Sequence, residues 1–131
     1  MKQLTLVLLL LATANAWADW TLVGEGEIKE GRLTVYADRE TIGRAGDFAK
    51  MWSLFDFSIP QLLRGKREYR SVKFQKEFDC GQRQFRVLSL DWYADNMSRG
   101  EPIASTSVDS EWKPVSPGSV DEAVWGAACT Q

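Results

Sequence analysis

The residues best equipped for covalent chemistry are Cys80 and Cys129, in a chain of 131 residues that contains no histidine. A thiolate nucleophile usually draws its activation from a neighbouring base such as histidine, and that base is missing. Structural zinc needs four ligands at short spacings, which two lone cysteines 49 positions apart do not supply. The chain has no C-x-x-C, so dithiol exchange is disfavoured. The pair therefore reads as a structural disulfide, Cys80–Cys129, formed in an oxidising compartment. Closing a loop of about 50 residues stabilises a fold by about 4 kcal/mol in the chain-entropy model. Carboxylates are plentiful (Asp38 and Glu40, Asp91 and Asp95, Asp121 and Glu122), but none sits in a motif that fixes a paired geometry. Neither a nucleophile elbow, nor a metalloprotease helix motif, nor a phosphate loop is present. These residues point to no enzyme, no metal site and no cofactor.

The more informative chemistry is non-covalent. Residues 64–86 hold Arg64, Lys66, Arg67, Arg70, Lys73, Lys76, Arg83 and Arg86 against Glu68, Glu77 and Asp79, within a chain of net charge −2. Aromatic residues are interleaved with these charges. Such an asymmetry can concentrate a positive field on one face. Arg64, Lys66, Arg67, Arg70, Lys73, Arg83 and Arg86 are the contact candidates for a partner. The competing reading is a solvated strand face whose charges guard an edge. Nucleic acid fits poorly, because the chain is acidic as a whole and shows no recognisable nucleic-acid module.

The elements that must position these residues begin after a leader. Lys2, the apolar run Leu4 to Leu11 and Ala16-Trp17-Ala18 form a secretory signal over residues 1–18, with Asp19 as the new N-terminus. The run is too short for a membrane-spanning helix of ~20 residues, and no second apolar run follows. With no cysteine at the cleavage site, a lipid anchor is not expected. The mature chain, 19–131, is expected to be one domain in the periplasm or outside the cell.

Most of that domain reads as strands. Trp20, Leu22, Gly24, Gly26 and Ile28 alternate with Thr21, Val23, Glu25 and Glu27, Glu30-Gly31 marks a turn, and Leu33, Val35 and Ala37 continue the pattern, which predicts a hairpin. DRETIGRAGD reads as a polar connection. FAKMWSLFDF is apolar on both faces, as in a central strand covered twice or a strand in a subunit interface. IPQLLRGKRE reads as a loop. EYRSVKFQKEFDC places Val72, Phe74, Phe78 and Cys80 on one face, interrupted by Lys76, where a bulge or an edge is expected. QRQFRVLSLDWY changes phase between Val87 and Leu88. IASTSV is a short strand. SPGSVDEAVWGAACTQ reads as a helix, capped by Ser116 before Pro117 or by Ser119 with Glu122. Its apolar stripe is Val120, Val124, Ala127 and Ala128, and Gly126 with the two alanines allows close approach to a sheet. The fold class is α+β: an antiparallel sheet of about six strands with one C-terminal helix packed on it, tethered by the disulfide.

Three blocks, VYADRETIGRAGDFAKMWSLFDF, SVKFQKEFDCGQRQFRVLSLDWY and EWKPVSPGSVDEAVWGAAC, resemble the surface-adhesin protein E family in order and over about residues 20–130. The resemblance implies a small antiparallel sheet with a disulfide-tethered C-terminal helix. It also implies an outer-surface adhesin role: binding of host matrix and serum proteins, a capacity for haem, and dimers. The chain departs from the best-known member in lacking a lipobox cysteine and in lacking histidine, which excludes ordinary axial ligation of haem.

The expected function is an exported, non-catalytic binding protein that recognises a host matrix or serum protein, or an envelope component, through a basic strand face. The alternative is a periplasmic carrier of a small hydrophobic or haem-like ligand, lined by tryptophans with Phe48, Phe55, Phe57 and Tyr93. Self-association into a homodimer through the two-sided strand 48–57 is compatible with the first reading.

Overall fold

The computed structural model describes residues 19–130. The leader expected over 1–18 and the terminal Gln131 lie outside the described residues. The strands are β1 (Trp20–Ile28), β2 (Gly31–Ala45), β3 (Phe48–Leu63), β4 (Arg67–Asp79), β5 (Gln84–Tyr93), β6 (Ala104–Ser107) and β7 (Lys113–Pro114), followed by the helix α1 (Val120–Cys129). They form one antiparallel sheet in the order β1-β2-β3-β4-β5-β6, with β7 pairing to β5. The expected sheet and single C-terminal helix are both present. The two-residue strand β7 is an addition that no alternation pattern announces.

Two segments differ from expectation. DRETIGRAGD is not a connection, because β2 runs on to Ala45 and turns only at Gly46-Asp47. IPQLLRGKRE is not a loop, because β3 reaches Leu63 and the turn is Arg64-Gly65-Lys66. Both extensions touch the core little: Ile42 packs against it, and Arg44 reaches the Cys129 carbonyl at 3.3 Å. Their side chains are largely exposed, so pairing there is held by the backbone ladder and leaves no hydrophobic alternation to read.

The core lies between α1 and one face of the sheet. Val35, Ala37, Ala49, Met51, Phe78 and Phe85 meet Val124, Ala127, Ala128 and Val115. In β1 a bulge between Leu22 and Gly24 resets the alternation. Gly24 and Gly26 therefore face the helix, while Leu22 points to the opposite face and is 55% exposed. Close approach of helix and sheet comes from these two glycines. A Cβ on Gly24 would lie 3.3 Å from the Cβ of Ala123, and one on Gly26 3.4 Å from Val120. A Cβ on Gly126, expected to serve that purpose, would meet nothing within 4 Å outside its own helix.

Ser119 is the helix cap: its hydroxyl accepts from the Glu122 backbone N–H at 3.2 Å, and the Glu122 carboxylate accepts from the Gly118 N–H at 3.2 Å. Pro117 precedes the helix. The disulfide joins Cys80, just beyond β4, to Cys129 at the last helical position, with Cα atoms 5.5 Å apart. β3 is central, as its two-sided apolar pattern predicts. Met51 is buried on the helix face. Leu54 is fully buried on the other, in a row with Tyr36 and Lys73.

Candidate binding surface

Lys76 breaks the apolar face of β4 as the sequence indicates, and the β4–β5 register shifts between Gln75 and Lys76. The strand is not an edge, however, and Lys76 is only 3% exposed. Its ammonium lies over the rings of Phe55 and Phe74, each at 4.7 Å, and of Phe85 at 5.3 Å. Asp121, in the first turn of α1, stands 3.4 Å away. Burial pushes this lysine below the ordinary lysine range; Asp121 pulls it back up, and Lys113 adds a smaller downward push. Lys76 therefore belongs to the sheet–helix contact and is withdrawn from any surface.

The seven contact candidates do not form one face. Thirteen residues of β4 separate the turns at its ends, roughly 40 Å of strand at ~3.3 Å per residue. At one end, Arg83 donates to Glu122 at 2.8 Å and lies over Trp125 at 4.4 Å. Arg86 pairs with Glu77 at 2.7 Å and Asp109 at 3.5 Å, and its guanidinium lies 4.9 Å from the Trp112 ring. In mid-strand, Lys73 pairs with Asp91 at 3.9 Å and sits 4.9 Å from the Trp52 ring. These three are engaged within the fold. Arg70 alternates with Lys73 and so projects from the opposite face of β4. Arg64, Lys66 and Arg67 stand together at the β3–β4 turn. Neither they nor Arg70 makes an ion pair among the described residues.

The three turn cations rim a cleft of about 510 Å³. Its lining adds Leu63 from β3, Trp92 from β5, and Ala104, Ser105 and Thr106 from β6. The turn needs left-handed backbone, with φ of 52° at Arg64 and 71° at Gly65, and Arg64, Lys66 and Arg67 are exposed there. The far wall is fixed by the connection from β5 to β6. Asp56 accepts from Asn96 Nδ2 at 3.1 Å and the Met97 N–H at 2.8 Å. Ser71 donates to the Asp95 carbonyl at 2.6 Å and accepts from the Ser98 N–H at 3.0 Å. Arg67 Nη1 closes the corner on the Ile103 carbonyl at 2.7 Å.

Sequence reading found the rim of this cleft and the short strand IASTSV that holds β6, but not that β6 lies beside the β3–β4 turn, a juxtaposition that only the fold makes. Of the aromatic residues considered for a ligand pocket, Trp92 alone lines the cleft. Phe48 packs tilted against Trp112 with centroids 5.8 Å apart, and Phe55 edge-to-face against Phe74 at 4.8 Å. No cluster of three or more potential metal ligands exists among the described residues. No described helix is long and apolar enough to cross a membrane.

Comparison with known proteins adds the following. The family model for surface-adhesin protein E matches residues 20–130. A search among curated proteins found no match. Among solved structures, crystal form II of Haemophilus influenzae protein E superposes with a TM-score of 0.58 at 15% identity, over 73% of this chain and 80% of that one. The selenomethionine form of the same protein gives 0.55 at 15% identity, covering 73% and 78%. A further structure of it gives 0.51 at 16% identity, covering 72% and 76%. At that level of identity the likeness is one of fold.

Proposed function

The chain belongs to the surface-adhesin protein E family, and from that membership we propose that it is an exported, adhesin-like, non-catalytic binding protein whose partner is a protein of the host matrix, of serum or of the envelope. Residues 1–18 act as its signal peptide, and residues 19–131 are the mature domain, in the periplasm or outside the cell. The observation that carries the reading is the turn between β3 and β4. Arg64, Lys66 and Arg67 stand together there with no ion pair among the described residues, whereas Lys73, Arg83 and Arg86 satisfy carboxylates of the fold. Three neighbouring like charges repel one another, and a negatively charged partner relieves that repulsion. The contact set therefore narrows from seven residues to Arg64, Lys66 and Arg67, with Arg70 nearby.

The test is capture of matrix and envelope proteins by the triple variant R64E/K66E/R67E and, in parallel, by R83E. The triple variant is expected to lose at least tenfold in binding with an unchanged melting temperature, and R83E to keep its binding. Equal capture by the triple variant and the unmodified protein removes this surface from consideration. The carrier reading draws support from the cleft, whose volume falls in the range of small-ligand sites, ~300–1,000 Å³. A haem titration that leaves both the absorption spectrum and the melting temperature unchanged disposes of its haem form.

A further inference from the structure

The same corner of the sheet carries a second feature. Among the described residues β6 is the last strand of the sheet and pairs with β5 alone. Its flanking residues also turn inward, the Ile103 N–H to the Trp92 carbonyl at 2.8 Å and the Val108 N–H to the Leu88 carbonyl at 2.9 Å. The outer edge of Ala104–Ser107 therefore presents unpaired backbone groups. Natural edges are guarded by lysine, by proline, by bulges or by inward charges. β6 reads Ala-Ser-Thr-Ser and has no charged or proline side chain. The opposite edge, β1, carries Glu25 and Glu27. The protection of β6 is brevity, together with Arg67 Nη1 on the neighbouring Ile103 carbonyl at 2.7 Å, and the cleft opens beside it.

We propose that the free edge of β6 and the adjoining cleft form one docking groove for an extended acidic peptide segment of the partner. The segment adds a strand beside β6. One of its aromatic or aliphatic side chains enters the cleft against Trp92 and Leu63, and its carboxylates meet Arg64, Lys66 and Arg67. Each part answers an observation. The backbone edge demands an extended chain, since strand addition satisfies ladder groups that no side chain reaches. The apolar floor demands a side chain at alternate positions, the period of a strand. The three unpaired cations demand negative charge, and Glu68, the nearest acidic residue in sequence, makes no ion pair with them among the described residues. The inference rests on the proposed role of the β3–β4 turn and specifies the chemistry of what binds there.

The experiment titrates the protein with a synthetic seven-residue peptide in which glutamate alternates with phenylalanine and threonine, followed through backbone amide shifts. Three further peptides serve as arms: lysine in place of glutamate, alanine in place of phenylalanine, and N-methylated backbone at alternate residues. Shifts concentrated at residues 63–67 and 103–107 are expected, with a loss of tenfold or more in each arm. Loss only in the lysine arm overturns the groove, because charge at the turn then suffices; the proposed role of Arg64, Lys66 and Arg67 survives that result. Laurate shifting the same amides while the acidic peptide does not would also overturn it, in favour of a small amphiphile. If the peptide fails to bind while R64E/K66E/R67E still loses its protein partner, the groove is refuted and the binding surface stands. If the triple variant keeps its partner as well, both are refuted.

Discussion

Replacing Lys76 by methionine is expected to make the protein more stable, although it deletes an ion pair and three ring contacts. Withdrawing an ammonium from water costs several kcal/mol even after relaxation. Against this stands Asp121 at 3.4 Å, about 5 kcal/mol at an effective dielectric of ~20. That figure shrinks because the Asp121 side chain is 35% exposed and water screens it. The faces of Phe55, Phe74 and Phe85 add about 1 kcal/mol each. The terms nearly cancel, and methionine, similar in length, keeps the packing while gaining about 1–2 kcal/mol of apolar burial. K76M is thus expected to gain about 1–2 kcal/mol, roughly 4–8 °C in Tm for a domain of this size. D121N is expected to do the opposite, since it leaves the buried charge alone. The usual loss of about 3–5 kcal/mol for breaking a buried pair falls to about 2 here, because Asp121 is partly solvated. The double variant should sit near K76M.

The sign of the pH dependence follows from the lowered lysine. The unfolded chain binds the proton more tightly than the fold does, so stability rises with pH between the folded value and about 10.4. K76M loses that rise. Tyr36 and Tyr69 are raised by burial and work the other way above about pH 10, so the comparison is the difference between the two proteins up to pH ~10. Urea unfolding followed by tryptophan fluorescence measures all four proteins. A K76M variant less stable by 1 kcal/mol or more, with D121N unchanged, would refute the reasoning.

Reduction of the disulfide, or C80S/C129S, is expected to cost about 4 kcal/mol, seen as a fall in Tm of more than roughly 10 °C and a change in the emission of Trp125. The indole of that residue donates to the Asp79 carbonyl at 3.1 Å beside the staple. Ser53→Ala should be neutral to about 1 kcal/mol stabilising by urea midpoint, because the Ser53 hydroxyl is buried without a hydrogen-bond partner among the described residues. Gly24→Val should cost about 1–3 kcal/mol, since its Cβ already crowds Ala123 and its methyl groups force the helix outward; calorimetry reads it directly.

How far the sequence carried is best judged residue by residue. Cys80 and Cys129 were legible because absence spoke: no histidine, no third ligand. The helix cap and the shift of phase in β5 were legible because polar spacing and apolar period report local geometry. The continuation of β2 to Ala45 and of β3 to Leu63 was not, because ladder hydrogen bonds are made by every residue type alike. The reset in β1 escaped because a bulge between Leu22 and Gly24 leaves no composition signal. For the surface, the charges of residues 64–86 were visible, but their partners were not. Glu122, Asp109 and Asp91 lie 39, 23 and 18 positions away from Arg83, Arg86 and Lys73, and only the fold shows which cations they neutralise.

The order of the sheet has a consequence for how the molecule is made. Strands β1 to β5 meet as successive hairpins, each pairing with its neighbour in sequence, and local pairings of this kind form early and fast. The helix follows all of them in the chain, so a nascent molecule can complete the meander while Val35, Ala37, Met51 and Phe78 still lack their cover. In that interval it is an open apolar sheet, the kind of surface chaperones hold. Premature termination before Val120 would leave the molecule there: fully paired, uncovered and prone to stack on its own copies.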